Sequence, residues 1–357
     1  MSLGEELVER LKNVNCLVIG DLICDHYIFS ENLPHLPGDP DVKVKQLGEI
    51  FTPGGAGNVA MNLAELLYQK IVLFGQPLEN EEVSCILEDA GIIYIPGLGR
   101  VTSPKKTRVI VGTQQVAAIH NEKKYSSPTT LKWITLKQLQ RRDPFSIVSD
   151  VTTILSFPGD KDLFFLKNLF DKCRIDLILI SDYNKGFVSD SVIEFINNYD
   201  IPVYANSKSD IAVKLNILGE KYKFLSINQA EETFLWETYG PLFPRPDVMF
   251  TTLGEQGIKV SEGKNISKDK YKIIPDFKVN VVDPTGAGDT AFSVASLALH
   301  VGFPPIEAAK LANLAASSVV QKERVVPLDI DVLLKEIKQN RKHFSLGPWL
   351  NGRALGS

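Results

Sequence analysis

The sequence predicts an α/β fold: a doubly wound, mostly parallel sheet with helices on both faces, and a small β-sheet lid beside it. Three features point there. Apolar runs of strand length alternate with helical patterns, the arrangement that gives parallel crossovers. Polar motifs recur at the ends of those runs, the edge where such sheets bind ligands. Two β-rich segments stand apart from the alternation. Residues 1–340 are expected to form one domain, with the lid of 41–52 and 105–121 inserted in it, followed by a tail at 341–357.

Taken in order, Leu7, Leu11 and Val14 suggest a short amphipathic lead-in, and Cys16–Gly20 a compact buried strand. It ends at Asp21, with Asp25 one turn later; such carboxylates sit where α/β sheets bind ligands, or else are solvated loop acids. Residues 42–52 alternate as a half-exposed strand, then Pro53-Gly-Gly-Ala-Gly-Asn58 opens a helix over 59–67. No Lys-Ser/Thr follows these glycines, so this is no Walker P-loop, and Asn58 suits a sugar hydroxyl better than a phosphate. Strands at 71–74 and 92–95 flank a helix at 79–90. Residues 106–119 read as a hairpin about Gly112, whose Lys106, Arg108, Gln114 and Gln115 could line a pocket or face solvent. Further strands are expected at 153–157, 177–181, 202–205, 224–227 and 248–252, with helices at 160–173, 189–198 and 230–237. Two helices, 306–320 and 330–339, close the domain.

The stretch 279–299 carries the most chemistry. It reads as a short apolar strand over 279–282, a tight turn through Gly286, Ala287 and Gly288, then an apolar helix. Glycines let successive N–H groups converge, and a helix N-terminus favours an anion. Asp289 stands where that anion would lie. A carboxylate repels a bound phosphate, but it can take a proton from a hydroxyl attacking one, which is the layout of a phosphotransferase. A plain turn capped by Asp289 is the alternative. The formal match of 286–291 to a dinucleotide fingerprint fails on context, since a helix and not a strand follows.

Composition narrows the classes. The chain has 357 residues, 44% hydrophobic and 23% charged, with a net charge of −4. No basic excess invites nucleic acid or an anionic membrane as main partner. Cys16, Cys24, Cys85 and Cys173 lack metal or disulfide spacing and read as reduced core residues. No apolar run spans a bilayer and no signal-peptide pattern opens the chain, so a cytoplasmic protein is expected.

With Gly54-Gly-Ala-Gly-Asn58 and Asp283-Pro-Thr-Gly-Ala-Gly-Asp289-Thr290 in this order, the chain resembles the ribokinase-like (PfkB) carbohydrate kinases over roughly 14–340. Within that family it is most similar to the heptose 7-phosphate kinases of ADP-heptose synthesis. The similarity rests on Val42-Lys-Val-Lys45, Lys106-Thr-Arg108, Gln114-Gln115, Ser181-Asp-Tyr-Asn-Lys-Gly186 and Asn228-Gln-Ala-Glu231. The resemblance implies transfer of the ATP γ-phosphate to the anomeric C1 hydroxyl of heptose 7-phosphate. Asp289 would be the general base, with Gly286, Ala287 and Gly288 as the anion hole. Lys208, Asn228, Thr252, Gly254, Gly257 and Asn313 would bind the nucleotide, and Glu231 would organise Mg2+, with K+ a further candidate cation. Asp21, Asp25, Gly55, Asn58, Gln115 and Asp182 would contact the sugar, and Arg108 and Lys185 a phosphate already on it. The lid would exclude water and mediate a homodimer.

The chain departs from the heptose-kinase pattern at Ala118 and His120, where Arg and Asp are expected, and at Asn206-Ser-Lys208-Ser209, where Asp-Pro-Lys-Gly is expected. No histidine forms the H-x-G-H motif of a fused nucleotidyltransferase, so the kinase half alone is expected. The alternatives are a kinase for ribose, fructose or fructose phosphate and, from another class, a non-catalytic sugar or nucleotide sensor. An intact Asp289 speaks against the sensor, since a binding module gains nothing from a base beside a phosphate.

Overall fold

The computed structural model describes residues 3–33, 43–67, 69–99, 101–121, 124–125, 162–263, 266 and 270–344; the strand expected at 153–157 lies outside them. Its helices are α1 (Leu3–Leu11), α2 (Ala56–Leu66), α3 (Glu81–Asp89), α4 (Asp162–Lys172), α5 (Asp190–Ile196), α6 (Ile211–Lys214), α7 (Gln229–Tyr239), α8 (Ala287–His300), α9 (Pro305–Val319) and α10 (Ile330–Gln339). The main sheet is built from β1 (Cys16–Gly20), β4 (Ile71–Gly75), β5 (Ile92–Pro96), β8 (Leu177–Asp182), β9 (Val203–Ser207), β10 (Tyr222–Asn228), β11 (Val248–Thr252), β12 (Ile258–Glu262) and β13 (Lys272–Ile274). A second sheet holds β2 (Leu22–Asn32), β3 (Val44–Gly55), β6 (Lys105–Val111) and β7 (Gln114–Asn121).

The main sheet runs β13-β12-β11-β10-β9-β8-β1-β4-β5, parallel except where β12 and β13 pair antiparallel at one edge. β1 explains the two-sided winding. All five of its residues are buried, and successive side chains point to opposite faces. Cys16 and Val18 join the core cluster containing α1, α2, α8, α9 and α10 residues, while Leu17 and Ile19 join the cluster under α4 to α7. Strands buried on both faces read as continuous apolar runs, which is why they were legible in the sequence. All four cysteines are free, but Cys85 is exposed and does not belong to the core.

Two expectations fail. The first strand was expected to end at Asp21 with no strand after it before 42, yet β1 passes through it directly into β2, an eleven-residue strand inside the second sheet, order β3-β2-β6-β7. The chain therefore crosses between sheets at one residue. Residues 279–282 form no strand: Val281 and Val282 are 45% and 50% exposed, and the Val282 N–H donates to Val320 O beyond α9. The edge of the main sheet is occupied instead by β12 and β13, neither of which was expected.

Gly257 turns β11 into β12 with a φ of 96°, and a Cβ there would fall 2.1 Å from Ile274 O. Gly257→Ala is expected to lower unfolding stability by about 1–3 kcal/mol, measurable as a shift in denaturant midpoint.

Candidate active site

Strand order reverses between β1 and β8, since the chain winds outward from β1 through β4 and β5 on one side and from β8 through β11 on the other. Such switch points open a crevice at the carboxyl ends of the strands. A cavity of about 300 Å³ lies there. The main sheet contributes Tyr183, Asn206, Lys208, Ser226, Asn228 and Thr252 to its wall, and the second sheet contributes Ile23, Asp25, Gly55, Lys106 and Arg108. The turn before α8 and its first residues supply Pro284, Thr285, Gly286, Gly288 and Asp289.

The start of α8 shows why its residues are of these types. Thr285 N–H closes a turn on Asp283 Oδ1 at 2.8 Å. Gly286 then caps the helix with a φ of 87°, and a Cβ on it would lie 2.9 Å from Asn58 Nδ2. Both the backbone conformation and the space require glycine. At Gly288 a Cβ would meet nothing within 4 Å, so the first turn of α8 is open to the cavity. Its N–H donors and dipole make that opening favourable for an anion.

Asp289 is 4% exposed and both of its carboxylate oxygens are held. Tyr183 Oη donates to Oδ1 at 2.6 Å and Asn58 Nδ2 donates to Oδ2 at 3.1 Å. Burial pushes this carboxyl above its ordinary value, while the Tyr183 hydroxyl, the Lys208 charge and Asn58 hold it down. Asn58 is itself fixed by Asn62 Nδ2, which donates to its Oδ1 at 3.1 Å. Asn62 Oδ1 in turn accepts Thr290 Oγ1 at 3.1 Å. Asn58, expected to touch sugar, is 1% exposed and faces Asp289 instead of the cavity.

Asp21 is likewise turned inward, at 0% exposure. Its Oδ2 accepts the N–H groups of Tyr183 and Lys185 at 2.8 and 2.9 Å. Its Oδ1 accepts Phe187 N–H at 3.1 Å and Gln76 Nε2 at 2.7 Å. This carboxylate shapes the loop after β8, in which Asn184 has a φ of 59°. Asp182, also expected at the sugar, is 2% exposed and accepts Ser207 Oγ at 2.7 Å and Asn184 N–H at 2.9 Å. Neither lines the cavity, and nor does Lys185. Tyr183, a residue of the 181–186 motif with no expected role, does.

On the opposite wall, Asn228 and Glu231 form a capping box at α7: Glu231 N–H donates to Asn228 Oδ1 at 2.9 Å, and Asn228 N–H to Glu231 Oε2 at 2.8 Å. Capping alone accounts for part of this motif. Both residues also line the cavity, and burial pushes the Glu231 carboxyl up. No group of three or more His, Cys, Asp or Glu placed to hold a metal ion occurs among the described residues. A single carboxylate fits a hard cation that keeps its waters and is otherwise held by phosphates. Thr252 lines the cavity, whereas Gly254, Gly257 and Asn313 do not. Asn313 is 3% exposed and donates to Ile274 O and Pro275 O at 3.0 and 3.2 Å, which ties α9 to the end of β13. Ala287 opens α8 without lining the cavity.

From the second sheet, Arg108 and Asp25 form an ion pair at 2.6 Å, and the guanidinium lies 5.2 Å from the Tyr27 ring centroid. Ala118 stands opposite Arg108 on β7. All eight residues of β7 are exposed, and Gln115 is outside the cavity wall.

A doubly wound sheet with a second sheet facing its switch point, and a buried carboxylate on a glycine-fronted helix, make the ribokinase-like fold. The model of the pfkB family carbohydrate kinases matches residues 173–330. It is 29% identical to the bifunctional protein HldE of Magnetococcus marinus over 338 residues, which is 89% of this chain and 62% of that protein. The chain thus spans under two thirds of the length of such relatives. Phosphofructokinase-2 from Escherichia coli, solved with substrates and products, superposes with a TM-score of 0.61 at 13% identity, over 91% of this chain and 99% of that one. Arabidopsis thaliana ribokinase, solved with ribose and ATP, gives 0.59 at 19%, over 92% and 99%.

Asp21→Ala would leave several buried donors without an acceptor, so a stability loss of about 2–5 kcal/mol is expected. Hydrogen exchange should show the amides of Tyr183, Lys185 and Phe187 losing protection.

Proposed function

We propose that this protein transfers the ATP γ-phosphate to a hydroxyl of a phosphorylated sugar, with the C1 hydroxyl of heptose 7-phosphate as the acceptor. The observation that carries this reading is the pair of cations on β6. Lys106 and Arg108 reach the same cavity as Asp289 from the second sheet, and a sugar bridging them would place a phosphate at one end and a hydroxyl at the other. Only Nη1 of Arg108 donates to Asp25, so its remaining N–H groups suit phosphate oxygens. The sequence resemblance to heptose 7-phosphate kinases favours that sugar.

In this reading Asp289 takes the hydroxyl proton as the oxygen attacks the γ-phosphorus, and the open first turn of α8 receives the charge that develops on the phosphoryl oxygens. Lys208, Asn228 and Thr252 bind the nucleotide. Glu231 and Asn228 would hold Mg2+, which neutralises nucleotide phosphate charge when bound. The second sheet acts as a lid. Its edge strands expose Leu47, Val116 and Ile119 at 61%, 47% and 60%, which supports pairing of two copies through it. No helix among the described residues is long and apolar enough to cross a membrane, and we place the enzyme in the cytoplasm, where ATP is available.

A second reading, a kinase of an unphosphorylated sugar, is favoured by the same ion pair, because Asp25 already compensates Arg108 and can accept sugar hydroxyls. ADP release against a panel of free and phosphorylated sugars separates the two. Preference for the phosphorylated acceptor is expected, and preference for a free sugar would sink the heptose 7-phosphate assignment. Arg108→Ala should raise KM for the sugar phosphate by roughly 30–100-fold, the equivalent of about 2–3 kcal/mol, with little change in KM for ATP.

A further inference from the structure

We propose that Tyr183 is the positioning residue of the phosphotransfer base: its hydroxyl, donated to Asp289 Oδ1, fixes the carboxylate in its ionised, proton-accepting form. The inference rests on the assignment of Asp289 as base. It starts from the one polar side chain of the 181–186 motif that reaches the cavity without a role in the proposed reaction.

Three features of the structure converge on this residue. The first is the 2.6 Å contact itself, made to a carboxylate that is 4% exposed. A buried carboxylate is driven towards its neutral form, which cannot accept a proton, and a donated hydrogen bond opposes that drive. The second is that Tyr183 has no freedom to withdraw. Its backbone N–H is held by Asp21 Oδ2, and the two residues flanking Gly186 are tied to the same carboxylate through Lys185 and Phe187 N–H. The third is the surroundings of the ring. Lys208 Nζ lies 4.0 Å and Lys106 Nζ 5.5 Å from its centroid, so the ring seats a cation from the side of each sheet.

The charged groups facing this pair come from every neighbouring element: Lys208 after β9, Asp25 on β2 and Glu231 on α7, with the neutral Asn58 from α2 on the other carboxylate oxygen. Burial pushes the Tyr183 hydroxyl well above its ordinary range, with Asp289 adding to the effect, so it remains protonated and acts as donor. Each carboxylate oxygen has two lone pairs, so one stays available on Oδ1 and one on Oδ2 after Tyr183 and Asn58 are served. In the transfer, the acceptor oxygen bonds to the γ-phosphorus, the bond from that phosphorus to the ADP oxygen breaks, and the hydroxyl proton moves to Asp289. Tyr183 keeps its own proton throughout.

Removing a donor raises a carboxyl's pKa, so the base should be lost at the acid end of the pH range and retained at the alkaline end. Tyr183→Phe keeps the ring beneath Lys208 and Lys106 and deletes only the hydroxyl. The test is kcat/KM for the acceptor as a function of pH in the wild type, Tyr183→Phe and Tyr183→Leu. The acid limb of Tyr183→Phe is expected to move to higher pH, with activity ~10-fold below wild type on that limb and close to it on the alkaline plateau. Tyr183→Leu, which also removes the seat of Lys208 and Lys106, should stay below wild type on the alkaline plateau as well. A Tyr183→Phe profile that parallels wild type at every pH, whether lowered by a constant factor or unchanged, would overturn the inference. A wild-type profile with no acid limb would instead remove Asp289 as the titrating base, and this role of Tyr183 with it.

Discussion

The arrangement of this molecule depends on one buried carboxylate that never reaches the cavity. Asp21 lies at the point where the chain leaves the main sheet and enters the second, and it bonds in every direction available to it. Its backbone N–H donates to Ser181 O on β8, and its carbonyl accepts Ala56 N–H at the start of α2. Its side chain takes four donors from the loop after β8 and from Gln76. An ion without solvent is costly unless its lone pairs are filled, and here they are filled by groups that then have no freedom to move. Burial still pushes this carboxyl up, with the backbone donors opposing it. The consequence is a junction that fixes the second sheet, the loop carrying Tyr183 and the helix carrying Asn58 with respect to one another.

Asp289 receives the product of that geometry. Its two hydrogen-bond donors lie 231 and 106 residues away in sequence, one on α2 and one after β8, and both segments are tied to Asp21. The opposing influences on Asp289 are desolvation, which favours the neutral acid, and two donors plus a lysine, which favour the ion. In the proposed transfer, a carboxylate held in this way is aimed by the fold itself, and no reorganisation of the helix is needed when a hydroxyl arrives. The open first turn beside it, bare at Gly288, leaves room for a phosphoryl group in contact with the backbone.

Much of this was legible in the sequence, for identifiable reasons. The turn at 283–289 could be read because two glycines before an apolar helix have few other uses. The central strands could be read because both of their faces are buried. The strand ends were located well enough to place Lys208, Asn228, Glu231 and Thr252 on one cavity wall. What could not be read was the direction in which a polar side chain points. Asp21, Asp182 and Asn58 have the residue types of sugar contacts, but backbone and side-chain donors from distant segments turn them inward. Gly257, past a strand end, and Asn313 were expected to bind the nucleotide, yet they face a close carbonyl and two backbone acceptors. The strand β2 was hidden because no turn residue separates it from β1. The segment 279–282 has a strand's composition, but its Val282 N–H donates to Val320 O and it joins neither sheet. Tyr183 had no signal beyond its place in a quoted motif, since its role depends on a contact made 106 residues along the chain.

The account stands or falls on whether Asp289 accepts the proton of the attacking hydroxyl. The most direct measurement is single-turnover phosphoryl transfer from ATP to the preferred acceptor by Asp289→Asn, with nucleotide affinity measured in parallel. Asparagine keeps the size of the side chain but cannot take the proton. Transfer is expected to slow by ~10²–10⁴ while ATP binds as in wild type. Transfer at the wild-type rate would leave Asp289 with a structural part only, as the acceptor of Tyr183 and Asn58, and contradict the account.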